Sequence, residues 1–260
     1  MNNQMTSRQA RIHELLQRNS FLAVDALADQ FEVTTQTIRR DLNGLCDLGL
    51  ARRRHGGIEK QVTGGNLAYT ARQAMSQPAK QAIARAVAGH VTNGASLSFG
   101  IGTTPATVAQ ALVDHAKLRI YTNNLTIALA ATTNDSFEVH VAGGRVRNSD
   151  QDIIGADVEA FFASFKTDFG VFGVAGVDEE GCLLDFSVEE VRTREAIRRN
   201  CRRSLLVLDS SKFGRAAPVR GGWIYDADMV FCDSHPPETL ARTLTNNGCA
   251  LIVADEQADR

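Results

Sequence analysis

The sequence predicts a winged helix-turn-helix at the N-terminus, followed by a larger α/β domain with a mainly parallel sheet. Two observations lead to this prediction. The first 58 residues contain three short helical patterns and then a basic strand that runs into a pair of glycines. After Pro78, short apolar β-like runs alternate with helical patterns. Residues 59–75 between these parts lose their apolar periodicity, so we expect a linker there and domains at 1–58 and 76–260.

The first domain begins with a helix over residues 7–17, whose apolar side chains fall on one side. After a short extended link, Asp25 is a suitable N-cap for the second helix. Thr34 or Thr35 is expected to cap the third. Three-helix units of this kind also occur as protein-binding modules, so the surface of the third helix decides between the two interpretations.

That third helix has two different faces. Ile38, Leu42 and Leu45 follow the i, i+4, i+7 spacing of a buried side. The other side carries groups that contact base edges and phosphates, and the basic strand after the helix suits a wing on a phosphate backbone. The side chains that we expect to bind DNA are Thr35, Gln36, Thr37, Arg39, Arg40, Asn43, Arg52, Arg53, Arg54 and His55. The prediction is therefore a module that binds double-stranded operator DNA.

The charge distribution agrees with a DNA-binding head, although the net charge of the 260-residue chain is only −2. Residues 1–60 contain 9 Lys and Arg against 7 Asp and Glu, while the rest contains 19 against 23. No run approaches the roughly 20 apolar residues of a membrane span, and the N-terminus lacks an apolar signal core. The five scattered cysteines form no C-x-x-C pair. We therefore expect a cytoplasmic protein with no membrane partner and no zinc cluster.

The C-terminal domain is predicted from seven apolar runs separated by helical patterns. The runs are Ser96–Phe99, Leu118–Tyr121, Phe137–Val141, Gly170–Val174, Leu205–Leu208, Met229–Cys232 and Leu251–Val253. The helical patterns lie at about 80–91, 104–115, 124–133, 188–200 and 236–247. This alternation is typical of parallel strands joined by crossover helices.

Polar and Gly-rich loops follow four of these strands, at the edge of a parallel sheet where ligands bind. Gly102 frees the backbone ahead of a helix N-terminus, which favours an anion. The residues that we expect to bind an effector are Gly102, Thr103, Thr104, Asn123, Asn124, Gly143, Gly144 and Lys212. Together their groups predict a pocket for a small phosphorylated sugar or polyol.

Each loop alone has a simpler explanation. A G-x-T-T sequence is often an ordinary helix cap, and pairs of Asn or Gly are common turns. Lys212 could be a solvated charge. Four such loops at predicted strand ends nevertheless favour a ligand pocket. The Arg- and Glu-rich pattern at 188–200 is typical of a solvated, salt-bridged helix face, with a subunit interface as the alternative.

Two sets of motifs extend over nearly the whole chain. The set in the predicted DNA-binding domain is Thr37–Leu42 (TIRRDL) and Arg54–Gly57 (RHGG). The set in the predicted α/β domain is Gly102–Thr104, Thr122–Asn124, Ala142–Gly144 and Ser211–Phe213. In this order and spacing they resemble the DeoR family of bacterial transcriptional regulators. The resemblance implies a repressor that forms homo-oligomers, either dimers or tetramers. It also implies that a sugar or polyol phosphate binds and lowers operator affinity, in a sensor domain similar in fold to ribose-5-phosphate isomerase and coenzyme A transferases.

Further stretches of the resemblance favour glycerol-3-phosphate as the effector. These are Ile153–Gly155, Leu183–Phe186 with Glu190–Thr193, and Lys212–Arg215. One position departs from the family pattern, because Gly100 stands where the family commonly has an Asp before the G-T-T loop. The remaining acids that could accept hydrogen bonds from ligand hydroxyls are Asp168, Asp178, Asp185 and Glu190.

The implied fold leaves one alternative, a sugar-phosphate isomerase or transferase that carries a DNA-binding head. The strand-end loops contain no convincing nucleophile–base pair and no close pair of carboxylates, and Gly100 removes one acid. We therefore expect a regulator rather than an enzyme, with no catalytic residues, no cofactor and no metal.

Overall fold

The structure, a computed structural model, forms two units. It describes residues 5–19, 21–47, 50–60 and 69–254, and the two units are Met1–Met75 and Ser76–Arg260. Among the described residues, every helix is too short or too polar to span a lipid bilayer.

The N-terminal unit combines helices with a small antiparallel sheet. Its elements are α1 (Ser7–Arg18), β1 (Phe21–Ala23), α2 (Val24–Gln30), α3 (Thr35–Asp47), β2 (Ala51–Arg54), β3 (Gly57–Lys60) and α4 (Tyr69–Ala74). The strands pair in the order β1-β3-β2, so the β2–β3 hairpin forms a wing behind α3. Ile12, Ile38, Leu42 and Ile58 are fully buried in one shared core. The predicted winged helix-turn-helix is confirmed.

One local prediction in this unit differs from the structure. Helix α2 begins at Val24 with Ala23 as its N-cap, so the prediction that Asp25 is the N-cap is wrong. Asp25 lies instead in the first turn, where its charge is favourable to the helix dipole. Regular structure also extends into the predicted linker, because β3 ends at Lys60 and α4 follows later. Residues 61–68 lie outside the described residues.

The C-terminal unit is built around a parallel sheet of seven strands. Its helices and strands are α5 (Gln77–Ala88), β4 (Ser96–Phe99), α6 (Thr103–Ala111), β5 (Arg119–Thr122), α7 (Leu125–Ala131), β6 (Glu138–Val141), β7 (Arg145–Arg147), β8 (Asp152–Ile154), α8 (Ala156–Ala163), β9 (Thr167–Phe172), β10 (Gly176–Val177), β11 (Cys182–Asp185), α9 (Val188–Arg199), β12 (Cys201–Val207), β13 (Val219–Trp223), β14 (Met229–Cys232), α10 (Glu238–Asn246) and β15 (Ala250–Val253). The large sheet has the order β15-β14-β12-β9-β4-β5-β6. Each predicted apolar run overlaps one of its strands, so the expected parallel α/β domain is confirmed.

Helices cover both faces of this sheet because successive strand residues point to opposite sides. Leu205 and Val207 pack with α5, α6 and α7, whereas Leu206 and Leu208 pack with α8, α9 and α10. All four side chains are buried, which explains why the run Leu205–Leu208 is apolar without alternation.

Two smaller β elements lie beside the large sheet. Strands β7 and β8 form an antiparallel hairpin, and β10, β11 and β13 form a second antiparallel sheet. The hairpin is joined to the end of β5, because the Ile153 N–H donates to the Asn123 carbonyl at 2.7 Å. These additions place charged residues of β7, β8 and β11 near the carboxyl ends of the parallel strands.

Candidate DNA-binding surface and ligand site

Helix α3 has the two faces that its sequence predicts. Its N-terminus is capped by Thr34, whose hydroxyl accepts from the Thr37 N–H at 3.3 Å. The buried face packs into the core of the N-terminal unit. Of the polar side chains expected to contact DNA, Gln36, Arg39, Arg40 and Asn43 are exposed, and Thr35 and Thr37 are half-buried. The helix therefore presents an exposed polar surface of the kind that enters a major groove.

One buried ion pair on α3 was not singled out from the sequence. Asp41 is 5% exposed, and its Oδ2 accepts from Arg8 Nε of α1 at 2.5 Å. Gln9 Nε2 of α1 donates to the Asp41 carbonyl at 3.4 Å. These contacts fix α3 against α1. The acid in the TIRRDL motif therefore positions the helix, while the arginines before it face solvent.

The wing arginines are all exposed, but each already has an intramolecular partner. Arg52 Nε donates to Glu59 Oε1 at 2.8 Å, and Arg54 Nη1 lies 3.5 Å from Glu59 Oε2. Arg53 Nη2 donates to Asn43 Oδ1 and, at 3.2 Å, to the Arg39 carbonyl. The Arg53 contacts hold the wing against α3. Glu59 offsets part of the positive charge of the wing.

The end of the wing depends on its two glycines. Gly56 has φ +81°, a backbone conformation that side chains disfavour. A Cβ on Gly57 would lie 2.0 Å from the Leu22 carbonyl oxygen, because β1 and β3 pair closely there. His55 is exposed beside this turn. The glycines thus allow the chain to reverse after the basic strand β2, so that β3 pairs closely with β1.

In the C-terminal unit, the loop after β4 leads into α6 as predicted. Gly102 is the N-cap of α6 with φ +126°. Thr103 and Thr104 are only 7% and 4% exposed. Thr103 also accepts through its carbonyl from the Thr107 hydroxyl. The glycine is therefore required by the turn, and the two threonines are more buried than a surface cap would be.

Each of the two asparagines after β5 uses one of its two side-chain amide atoms in hydrogen bonds within the fold. Asn124 Oδ1 caps α7 by accepting from the Thr126 and Ile127 N–H groups, and Asn123 Nδ2 donates to the Ile153 carbonyl at 2.8 Å. Both side chains are at most 1% exposed, yet Asn123 Oδ1 and Asn124 Nδ2 have no hydrogen-bond partner among the described residues. Burying such groups unpaired is costly. One acceptor and one donor therefore remain for a ligand or water.

The loops after β6 and β12 lie at the same edge of the sheet. Gly144 has φ +140°, and a Cβ there would lie 3.0 Å from Ile153 Cγ2, while Gly143 is exposed with open space around it. Lys212 is half-buried in a single helical turn, Ser210–Lys212, which Asp209 caps through the Ser211 N–H. The parallel topology brings all four predicted effector loops to one edge. Whether their residues bind an effector stays a prediction.

A network of buried charges at this edge was not predicted. Arg147 of β7 lies 2.8 Å from Asp152 and 2.6 Å from Glu190 of α9. These neighbours raise the pKa of Arg147, and burial raises the pKa of Asp152. Glu190 Oε2 also accepts from the Phe186 N–H at 3.1 Å. The network ties the β7–β8 hairpin to the start of α9.

A second buried pair lies next to this network. Arg194 is 4% exposed, and its Nε and Nη2 atoms donate to Asp185 Oδ2 at 3.2 and 3.0 Å. Burial raises the pKa of Asp185 to about 6, which Arg194 opposes only in part. The interpretation of 188–200 as a solvated face is therefore wrong for Glu190 and Arg194. It holds for exposed residues such as Arg192.

The structure also separates the four acids considered for ligand hydroxyls. Asp168 lies at the start of β9, where it accepts from the Ser96 N–H and hydroxyl, at the opposite end of the sheet from the loops. Asp178 accepts from backbone N–H groups in a tight turn. Asp185 and Glu190 remain near the strand ends. Among the described residues, no group of His, Cys, Asp and Glu could hold a metal ion.

Comparison with known proteins assigns both units. A model described as the DeoR-like helix-turn-helix domain matches residues 8–61, and one described as the DeoR C terminal sensor domain matches residues 75–234. The chain belongs to the DeoR family. It is a DNA-binding regulator by family, and the motif resemblance found in the sequence is confirmed.

Two DeoR-family relatives match almost end to end. The chain is 41% identical over 246 residues to the glycerol-3-phosphate regulon repressor of Escherichia coli K12, covering 95% of this chain and 98% of that protein. It is 42% identical over 248 residues to the repressor of the same name from Haemophilus influenzae, covering 95% and 96%. These relatives are transcriptional repressors and not enzymes, so the expected repressor function is confirmed. The isomerase or transferase alternative finds no support among them.

Among solved structures, a D-ribose-5-phosphate isomerase in complex with phospho-erythronic acid matches with a TM-score of 0.38. The identity is 15%, and the match covers 53% of this chain and 54% of that protein.

Proposed function

We propose that this DeoR-family repressor reads its operator with α3 in the major groove. The exposed polar face of α3, opposite a fully buried apolar face, is the observation that carries this proposal. Arg39 and Arg40 have the bidentate geometry that suits guanine, and Gln36 suits adenine. The wing arginines and His55 would contact phosphates, which position the protein without reading sequence.

The proposed effector is a phosphorylated sugar or polyol, with glycerol-3-phosphate foremost. Two relatives named for the glycerol-3-phosphate regulon support this choice. The unpaired atoms of Asn123 and Asn124 offer an acceptor and a donor to such a ligand. The N-terminus of α6, after Gly102, and Lys212 would provide the positive potential that a phosphate needs.

In this proposal the repressor acts in the cytoplasm as a homo-oligomer, a dimer or tetramer, so that two α3 helices meet two operator half-sites. The effector favours a state in which the N-terminal units of two subunits no longer match the spacing of the operator half-sites. Linkage then requires the operator to weaken effector binding by the same factor.

The test begins with an operator selected from a pool of random DNA duplexes by repeated binding to the full chain. The complex is then titrated with glycerol-3-phosphate, while glycerol and inorganic phosphate serve as matched controls. Release by glycerol-3-phosphate alone is the expected result. If glycerol-3-phosphate does not release the operator at any concentration up to millimolar, the proposal is contradicted.

A further inference from the structure

A small polar cavity lies beneath the loop after β4, at the carboxyl ends of β4 and β9. Its volume is about 20 Å³. It is lined by Gly100, Ile101, Phe172, Gly173, Asp185, Glu190, Thr193 and Arg194. A cavity of roughly 10–15 Å³ or more accommodates one water-sized group. The space therefore fits a single hydroxyl oxygen and nothing as large as a phosphate.

The side chains around this cavity retain hydrogen-bonding capacity. Within the described part of the chain, Asp185 Oδ1 accepts from the Ala175 N–H at 3.1 Å and from no other group, and each Glu190 oxygen accepts one hydrogen bond. A carboxylate oxygen can accept about two. Among the described residues, Arg194 Nη1 is buried without a hydrogen-bond partner, and Glu195 Oε1 lies 3.6 Å from it. A hydroxyl can donate to a carboxylate and accept from a guanidinium, so it complements both kinds of group.

Gly100 forms one wall of the cavity. A Cβ at this position would lie 3.2 Å from Ile197 Cδ1 and 3.5 Å from Phe172 Cβ. The two atoms belong to α9 and β9, which flank the cavity. A side chain at position 100 would therefore occupy the space between the loop and α9. The absence of a side chain there keeps the cavity open.

We propose that this cavity is the hydroxyl subsite of the effector site, and that Gly100 determines its selectivity. A hydroxyl of the polyol chain enters beneath Gly100 and hydrogen-bonds to Asp185, Glu190 and Arg194. The phosphate of the same ligand remains at the strand-end loops outside the cavity. This inference rests on the proposed function, since it assigns one part of the same effector.

The experiment compares two ligands that share a phosphate and differ in hydroxyls: glycerol-3-phosphate and propyl phosphate. Their dissociation constants are measured by calorimetry for the full chain, for Gly100→Ala and for Thr193→Val. Gly89→Ala is the matched control, because Gly89 caps α5 and a Cβ there has no atom closer than 3.6 Å. Thr193→Val keeps the cavity shape and removes a lining hydroxyl, so a test remains if Gly100→Ala fails to fold.

We expect the full chain and Gly89→Ala to bind glycerol-3-phosphate at least about tenfold more tightly than propyl phosphate, as hydrogen bonds to charged groups imply. Gly100→Ala should bring that ratio close to one while changing propyl phosphate affinity less than threefold, and Thr193→Val should lower the ratio. A full chain that binds both ligands equally, or a Gly100→Ala protein with an unchanged ratio, would overturn the subsite and leave the proposed function intact. A full chain that binds neither ligand would overturn both.

Discussion

At the scale of single residues, burial separates Asp41, which stabilises the helix, from the exposed arginines before it, which we propose to read DNA. Asp41 is buried against Arg8, whereas Arg39 and Arg40 are exposed on the same helix. The buried pair restricts the rotation of α3 about its axis. In the proposed function, this restriction holds the exposed pair where it can reach base edges.

Arg40→Ala should lower affinity for the operator by about 1–3 kcal/mol and relax base preference, because a bidentate contact to guanine would be lost. Fluorescence anisotropy with the operator and with random duplex measures both effects. Arg11→Ala is the control, since Arg11 is exposed on α1 and pairs with Glu14. Equal losses on operator and random DNA would contradict a base-reading role for Arg40.

Lys212→Ala should yield a repressor that glycerol-3-phosphate no longer releases from its operator. The half-buried lysine lies at the strand edge where the phosphate is proposed to bind, and its charge would be missing there. The fraction of operator bound is measured at increasing effector concentration. Release at the same effector concentration as the unsubstituted chain would exclude Lys212 from the effector site.

Asp185 should make stability depend on pH between about 4 and 6. Its pKa is about 6 in the folded chain, against an ordinary value of 3.8. Between these values only the folded state holds the proton, so stability is lost as pH rises through the folded pKa. The free energy of unfolding of the unsubstituted chain, minus that of Asp185→Asn, should therefore fall by about 1–3 kcal/mol from pH 4 to pH 7.

Urea unfolding across this pH range measures that difference, and the asparagine variant replaces the titratable carboxyl with a neutral side chain of the same size. Asp135→Asn, at an exposed position, is the control. If the curves for Asp185→Asn and the unsubstituted chain stay parallel from pH 4 to pH 7, the burial of an ionised Asp185 is not costly, contrary to the account.

At the scale of secondary-structure elements, the wing is a basic strand whose charge is moderated from the neighbouring strand. Arg52 and Arg54 of β2 both pair with Glu59 of β3. Removing this acid would free two guanidinium groups for phosphates. We therefore predict that the affinity of the wing for DNA depends on β3 as well as on the arginines of β2.

Glu59→Gln should increase affinity for random DNA and steepen its salt dependence by up to about two units, since each phosphate contact contributes about 0.9 to the slope. The measurement is the logarithm of affinity against the logarithm of salt concentration. Glu14→Gln on α1 is the matched control, because it also frees one exposed arginine but away from the wing. Identical slopes for Glu59→Gln and the unsubstituted chain would contradict the moderating role of Glu59.

The elements also show which structural features could be predicted from the sequence. Strand β14 is buried over most of its length, so Met229–Cys232 appears in the sequence as an uninterrupted apolar run. Strand β7 is only Arg145–Arg147 and mostly exposed, so neither its composition nor its length distinguishes it from a loop. Strands β8 and β10 are buried, but with three and two residues they are too short to give a recognisable apolar pattern.

The candidate site was predicted only in part because burial of charge is a tertiary property. Loops at strand ends follow from topology, so the placement of Asn123, Asn124 and Lys212 at one edge could be expected. By contrast, Glu190 and Arg194 occur in a pattern that is equally typical of a solvated helix. Only the packing of α9 against β11 and the hairpin reveals that these two residues are buried.

At the scale of the whole molecule, the proposed function requires that ligand binding in one unit changes DNA binding by the other. Each unit has its own core, and the family models match the two units separately. The effector can lower operator affinity only if it binds the DNA-bound and released states with different affinities. The same free energy must therefore be measurable from either ligand.

The most direct test of this account is the affinity of the full chain for glycerol-3-phosphate, measured by calorimetry with and without saturating operator DNA. The account predicts weaker binding in the presence of operator, by the same factor by which glycerol-3-phosphate weakens operator binding. Random duplex at equal concentration should have a smaller effect. Equal affinity for glycerol-3-phosphate with and without operator would contradict the claim that this repressor is released by its effector.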